Sequence, residues 1–254
     1  MILDQFKLDG RVALVTGARR GLGRGFALAL AEAGADVALL DRSDATETRE
    51  LITRLGRRSL SMTCDLSTAT VDELGAVVGQ VVDELGRLDI LVNNAGIIRR
   101  APAVDVSETD WNDVLQVNLN AVFFLSQAAG RVMIGQGGGK IINVASMLTF
   151  QGGVLVPSYT AAKHGVAGVT RALANEWAST NVNVNAIAPG YMATENTAPL
   201  RADEARAQAI LDRIPAGRWG TPDDLMGAVV FLASDAARYV QGAILPIDGG
   251  WLTR

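Results

Sequence analysis

The sequence predicts an α/β fold: one parallel sheet with helices on both faces. Three observations predict it. Apolar strand-like runs alternate with helical patterns from end to end of the 254 residues. Continuous apolar strands separated by helices are those of a sheet buried on both sides. Hydrophobic residues make up 49% of the chain and glycine is common (27) beside few prolines (7). That composition supplies a sizeable core and the tight turns that strand-to-helix connections need.

Taken in order, Arg11 to Thr16 reads as a buried strand and Leu22 to Glu32 as a helix, with Gly34 as its C-terminal stop. Asp36 to Leu40 is a second strand, Glu47 to Leu55 a helix, Ser59 to Thr63 a third strand, and Val71 to Leu85 a helix. Leu88 to Val92 is a fourth strand. Ser107 to Ile134 holds one long helix or a broken one, with Ser107 and Asp110 as candidate caps. Lys140 to Ala145 and Val182 to Ile187 are strands flanking a helix over Ser158 to Ser179. Pro222 to Leu232 is a helix and Ala243 to Ile247 a last strand. The polar stretch Met192 to Arg218 breaks this rhythm and is expected to be helical in its middle. It reads as a lid over a site, or as an ordinary long surface connection.

The net charge of −4 gives no support to nucleic acid as a partner. The single cysteine, Cys64, has no intrachain partner, so a reducing compartment is expected, and a buried setting for the thiol. The N-terminus does not read as a secretory signal and no apolar run reads as a membrane span. A cytoplasmic protein with no membrane partner is the expectation.

Chemistry enters at Thr16-Gly17-Ala18-Arg19-Arg20-Gly21-Leu22-Gly23, between the first strand and the first helix. Glycines let a backbone turn tightly and approach a pyrophosphate, while the helix N-terminus offers unpaired N–H groups and a favourable dipole. Asp41 ends the second strand. A carboxylate there accepts hydrogen bonds from ribose hydroxyls and repels a 2′-phosphate, which favours NAD. Arg20 and Arg42 pull the other way, since either can pair with the 2′-phosphate of NADP. Asp65 and Leu66, after the third strand, are expected at the adenine. Asn94, Ala95 and Gly96, after the fourth, are expected beside the adenosine ribose, Asn94 being also an ordinary turn residue.

Tyr159 and Lys163 lie four residues apart at the start of a predicted helix, hence on one face. The chain has only three tyrosines and three lysines. A cation beside a phenol favours the phenolate and makes that hydroxyl usable in proton transfer.

Together these elements resemble the short-chain dehydrogenase/reductase family over the whole chain. They are Thr16-Gly17, Gly21-Leu22-Gly23, Asn93-Asn94-Ala95-Gly96, Asn118, Ser146, Tyr159 with Lys163, and Pro189-Gly190. The resemblance implies one Rossmann-like domain over residues 1–254 with a seven-stranded parallel sheet, residues 192–218 being a substrate lid. It implies Tyr159 as general acid and base, and Lys163 as the group that lowers its pKa and bonds the nicotinamide ribose. Ser146 would polarise the substrate oxygen, and Asn118 would hold a water in a proton relay. Read singly, Ser146 is also an ordinary strand-end residue and Asn118 a helix-kink residue. Pro189, Gly190, Met192 and Thr194 would lie along the nicotinamide, with Ile187 behind the ring. Neither a metal nor a histidine triad is expected, since His164 is the only histidine and helical geometry turns it from the Tyr–Lys face.

Several stretches resemble family members that act on deoxy- and keto-sugar acids: Asn94 to Arg100, Ala145 to Gly153 and Pro189 to Thr197. Arg99 or Arg100 would then clamp the substrate carboxylate, with Gln151 and Asn196 on its hydroxyls, though all four also suit a rim or a subunit contact. A 3-oxoacyl carrier-protein reductase and a polyol or gluconate dehydrogenase are the nearer alternatives. A non-catalytic nucleotide sensor is the distant one. The resemblance also implies a homotetramer.

Overall fold

Strand β1 (Val12–Thr16) is buried at every position, because both faces of the sheet are covered. The computed structural model describes residues 1–254. After β1 come α1 (Gly21–Glu32), β2 (Asp36–Asp41), α2 (Thr46–Arg54), β3 (Ser59–Thr63), α3 (Val71–Leu85) and β4 (Ile90–Asn93). The second half holds α4 (Glu108–Leu115), α5 (Ala121–Gln136), β5 (Gly139–Val144), α6 (Pro157–Trp177), β6 (Val182–Pro189), α7 (Ala198–Ala202), α8 (Glu204–Leu211), α9 (Asp223–Ala233) and β7 (Ile244–Ile247). The strands form one seven-stranded sheet in the order β3-β2-β1-β4-β5-β6-β7. Every neighbouring pair is parallel.

Side chains alternate across each strand and divide the core in two. Ala13 and Val15 face Phe26 and Leu30 of α1 and Leu225 and Val229 of α9. Val12 and Leu14 face Leu74, Val78 and Val81 of α3 and Leu125 of α5. Each such large side chain, fully withdrawn from water, contributes about 1.5–3 kcal/mol of transfer free energy. Strand order reverses between β1 and β4, the place where open α/β sheets bind ligands beyond their strand ends.

Three features of the fold bear on the site, and the second departs from the sequence expectation. The 107–134 helix is broken: a π-helical turn, Gln116–Asn120, separates α4 from α5. Ser107 is the cap, its Oγ accepting from the Asp110 N–H at 3.0 Å, and Asp110 lies inside the first turn. β6 runs to Pro189, two residues past Ile187, because β7 pairs with it from Ala186 to Pro189. That extension carries Pro189 and Gly190 to the sheet's C-terminal edge. The 192–218 stretch holds α7 and α8, and its base is closed where Met192 bridges Gly220. No helix is long and apolar enough to cross a membrane.

Candidate active site

The loop between β1 and α1 depends on glycine at two positions for different reasons. Gly21 has φ +56 and open space where a side chain would project, so it keeps the floor of the cleft bare at the helix N-terminus. Gly23 has ordinary backbone angles, but a Cβ there would lie 2.1 Å from the Gly17 carbonyl oxygen and 2.6 Å from Asn94 Nδ2. The loop is tied to the β4 turn. Thr16 Oγ1 accepts from the N–H groups of Asn94 and Ala95 at 3.0 and 2.9 Å, and Asn94 Nδ2 donates to the Thr16 carbonyl at 2.8 Å. Asn94 is therefore first a clamp between two loops, beyond the turn role read from sequence.

These loops open on a cleft of about 500 Å³. It is lined by Gly17, Arg20, Gly21, Leu22, Gly23, Asp41, Asp65, Leu66, Asn94, Ala95, Gly96, Pro189, Gly190, Met192 and Thr194, together with Ser146, Tyr159 and Lys163. Asp41 is oriented by backbone: its Oδ2 accepts from the Arg19 N–H at 3.1 Å and its Oδ1 from the Ser43 N–H at 3.3 Å. Arg20 pairs with Glu195. Asp65 spends one oxygen on the Ser67 N–H and hydroxyl, and these bonds hold its carboxyl below the usual range. Cys64 is half-buried on the cleft wall rather than enclosed, and its desolvation pushes the thiol pKa up. Ile187 is wholly inside the core and off the cleft wall, because β6 points it toward the α1–α9 layer.

A buried polar ladder positions the proton-transfer groups. Asn93 Nδ2 of β4 donates to Asn143 Oδ1 of β5 at 2.9 Å, and Asn143 Nδ2 donates to Thr170 Oγ1 of α6 at 3.0 Å. This fixes α6 against the sheet at the level that brings Tyr159 and Lys163 to the cleft. Ser146 caps the turn that follows β5, its Oγ accepting from the Leu148 N–H at 3.1 Å. Thr149 Oγ1 in that turn donates to the Lys163 carbonyl at 3.0 Å.

Lys163 was expected to lower the tyrosine's pKa, whereas the influences on the phenol are burial, the Ser146 hydroxyl and the charge of Arg100. Its Nζ donates to the Val144 carbonyl at 2.6 Å and lies 5.5 Å from the centre of the Tyr159 ring. Burial lowers the ammonium's own pKa to about 8. Burial likewise raises Tyr159, opposed by the Ser146 hydroxyl and by the charge of Arg100. The Asn118 side chain is committed to the main chain. It is fully buried, and its amide serves the main chain of Ile97, accepting from the N–H at 2.9 Å and donating to the carbonyl at 2.8 Å. Its side chain is a strut under the Gly96–Ile97 turn, inside the π-helical segment. His164 is exposed, its Nδ1 2.9 Å from the Thr160 carbonyl.

The expected substrate residues separate into two kinds. Arg99 lines the cleft but is neutralised by Asp110 and Asp113, at 3.2 and 3.8 Å. Arg100 makes no ion pair; its Nη2 donates to the Asn196 carbonyl at 3.2 Å. Asn196 lines the cleft, whereas Gln151 stands outside it, accepting from Arg213 Nη2 at 3.5 Å. Arg213 stacks on Trp251, 4.0 Å from ring centre, in a cluster that includes Met147 and Leu148, directly after Ser146. Sequence reasoning missed Glu195 and Arg213. Nothing local marks either one, since their partners are 175 and 62 positions away. No group of three or more His, Cys, Asp or Glu side chains gathers with metal-ligand geometry.

A cleft lined by a glycine loop and by a phenol and a hydroxyl suits an oxidoreductase that takes its redox chemistry from a nicotinamide. A family profile described as Enoyl-(Acyl carrier protein) reductase matches residues 17–252. The chain belongs to the short-chain dehydrogenase/reductase family and is a dehydrogenase acting on CH–OH groups with NAD(P). It is 60% identical to the 2-dehydro-3-deoxy-D-gluconate 5-dehydrogenase of Escherichia coli over 100% of both chains. It is 54% identical to the Bacillus subtilis enzyme of the same name over 99% of this chain and 98% of that one. A solved gluconate 5-dehydrogenase from Burkholderia cenocepacia, in complex with NADP and tartrate, superposes with a TM-score of 0.95 at 38% identity over 100% of both chains.

Proposed function

We propose that the protein interconverts a hydroxyl and a ketone on a deoxy- or keto-sugar acid, as the names of its relatives suggest, and that it prefers NAD. The observation that carries this reading is that Tyr159, Ser146 and Lys163 share one cleft with the glycine loop and Asp41. When bound, the nicotinamide supplies or accepts the hydride. The chain does the rest. Tyr159 delivers a proton to the substrate oxygen in reduction and removes it in oxidation. The Ser146 hydroxyl donates to the same oxygen, so that two donors meet the charge that develops there. Lys163, a buried cation beside the phenol, favours its ionised form. Gly17 to Gly23 would hold the pyrophosphate and Asp41 the adenosine ribose.

NAD preference rests on the Asp41 carboxylate, locked by two backbone N–H groups where a 2′-phosphate would have to sit. The NADP seen with the Burkholderia relative supports a second reading, dual cofactor use, with Arg42 as the partner. Specificity constants for the two cofactors decide: comparable values would replace the first reading by the second, and a higher value with NADP would overturn NAD preference.

Arg100 lies outside the cleft lining, but no acid neutralises it and its charge bears on Tyr159, which favours it over Arg99 as the carboxylate clamp. A charge-assisted bond contributes about 1.5–3 kcal/mol, so Arg100→Gln is expected to raise the Michaelis constant for a sugar acid roughly 10- to 150-fold. Arg99→Gln is expected to change it by less than about fivefold, since exposed ion pairs are worth at most ~1 kcal/mol. Equal effects of the two would remove Arg100 from the substrate. A homotetramer belongs to the same proposal: β7 leaves its outer edge unpaired, with Leu245 exposed, as a subunit contact would use it.

A further inference from the structure

Segment 192–218 is tied down at both ends. At its base the Ala193 N–H donates to the Gly220 carbonyl at 2.7 Å, and the Gly220 N–H to the Tyr191 carbonyl at 2.9 Å. At its tip two neighbouring residues are held by two arginines from distant parts of the chain. Glu195 pairs with Arg20, which ends the glycine loop and precedes α1, and the Asn196 carbonyl accepts from Arg100. The tip is internally braced: the Thr197 hydroxyl bridges the carbonyls of Met192 and Thr194, and Arg201 Nη2 donates to the Thr194 carbonyl at 3.0 Å.

Arg20 and Glu195 both line the cleft, one on the floor side and one on the lid side. Their side chains are 48% and 65% exposed. An ion pair this wet contributes little to the stability of the fold and is screened by salt. It forms and breaks at low cost, as a closure requires. No other ion pair joins the glycine loop to the lid.

We infer that Arg20 and Glu195 form a latch that holds the lid over a bound dinucleotide and sets the rate at which the dinucleotide leaves. Arg20 then acts through Glu195 as a positioning residue, rather than as a partner of a cofactor phosphate. The inference rests on the reading that the cleft takes a dinucleotide.

The test is stopped-flow dissociation of NADH, followed by its fluorescence during a chase with excess NAD⁺. Four proteins are compared: wild type, Arg20→Gln, Glu195→Gln and the double variant. Each single variant is expected to release NADH about two- to fivefold faster, the range an exposed ion pair allows. The double variant is expected to be no faster than the singles, because one bond is lost in all three. Added salt is expected to speed release from wild type and leave the variants nearly flat. Thermal unfolding of all four should agree within a few degrees, which separates a latch from a fold defect. Three results overturn the latch. One is faster release from Arg20→Gln alone with unchanged or slower release from Glu195→Gln, which assigns Arg20 to a phosphate. Another is unchanged release from every variant. The third is wild type that binds no NADH, which removes the dinucleotide reading and the latch with it.

Discussion

Tyr159→Phe is expected to lower turnover by about a hundred- to ten-thousand-fold, the range spanned by a positioned general acid or base. Affinity for NADH, read by fluorescence titration, should change by less than about twofold, because only one hydroxyl is lost. Phe retains the ring and its packing, so the loss isolates proton transfer. The pH dependence carries a second signature. Oxidation needs the phenolate and should rise with pH; reduction needs the phenol and should fall. Burial raises the Tyr159 pKa while Ser146 and Arg100 oppose it. Arg100→Gln should therefore move the rising limb of oxidation to higher pH, in addition to its effect on substrate affinity. A Tyr159→Phe protein with more than about a tenth of wild-type turnover would contradict the mechanism.

Gly23→Ala is expected to cost nearly as much by a different route. Its new Cβ would meet backbone, the Gly17 carbonyl oxygen at 2.1 Å and its carbon at 2.7 Å. A flexible side chain would move aside; a carbonyl in a tight loop cannot do so cheaply. Overpacking of this kind costs about 1–3 kcal/mol. The displaced loop also strains the bonds from Asn94 to Thr16 that shape the pyrophosphate floor. NADH affinity should fall at least tenfold and the melting temperature by several degrees. Gly79→Ala is the control: it lies on the exposed face of α3 with nothing within 4 Å of the new Cβ. It should leave NADH binding unchanged and stabilise by up to about 1 kcal/mol. Full NADH affinity in Gly23→Ala would show that the loop does not hold the cofactor.

The sheet was legible in the sequence because most of its strands are runs of apolar residues, as in Val12–Val15 and Ile90–Val92, buried on both faces. The glycine loop was legible because glycine is required there by conformation at Gly21 and by contact at Gly23. Tyr159 and Lys163 were legible through helical spacing. Other features are long-range and leave no local pattern. Arg20 was set among cofactor contacts, but its choice of Glu195 depends on where the lid lands. Cys64 looked like a core residue, whereas β3 is the sheet edge and its C-terminal end opens on the cleft. Arg99 and Arg100 are chemically identical in sequence, and only the fold places Asp110 and Asp113 beside one of them. The bonds of the Asn118 amide to Ile97, made from within the π-helical turn, likewise leave no local pattern.

The most direct test is nicotinamide absorbance at fixed enzyme with NAD(H) and NADP(H) in turn. The panel holds keto- and deoxy-sugar acids, gluconates, neutral polyols and a 3-oxoacyl thioester. The predicted result is turnover concentrated on the sugar acids, faster with NAD(H), and lost on neutral polyols that lack the carboxylate Arg100 would bind. Preferential reduction of the thioester, or equal rates on acids and neutral polyols, would contradict it.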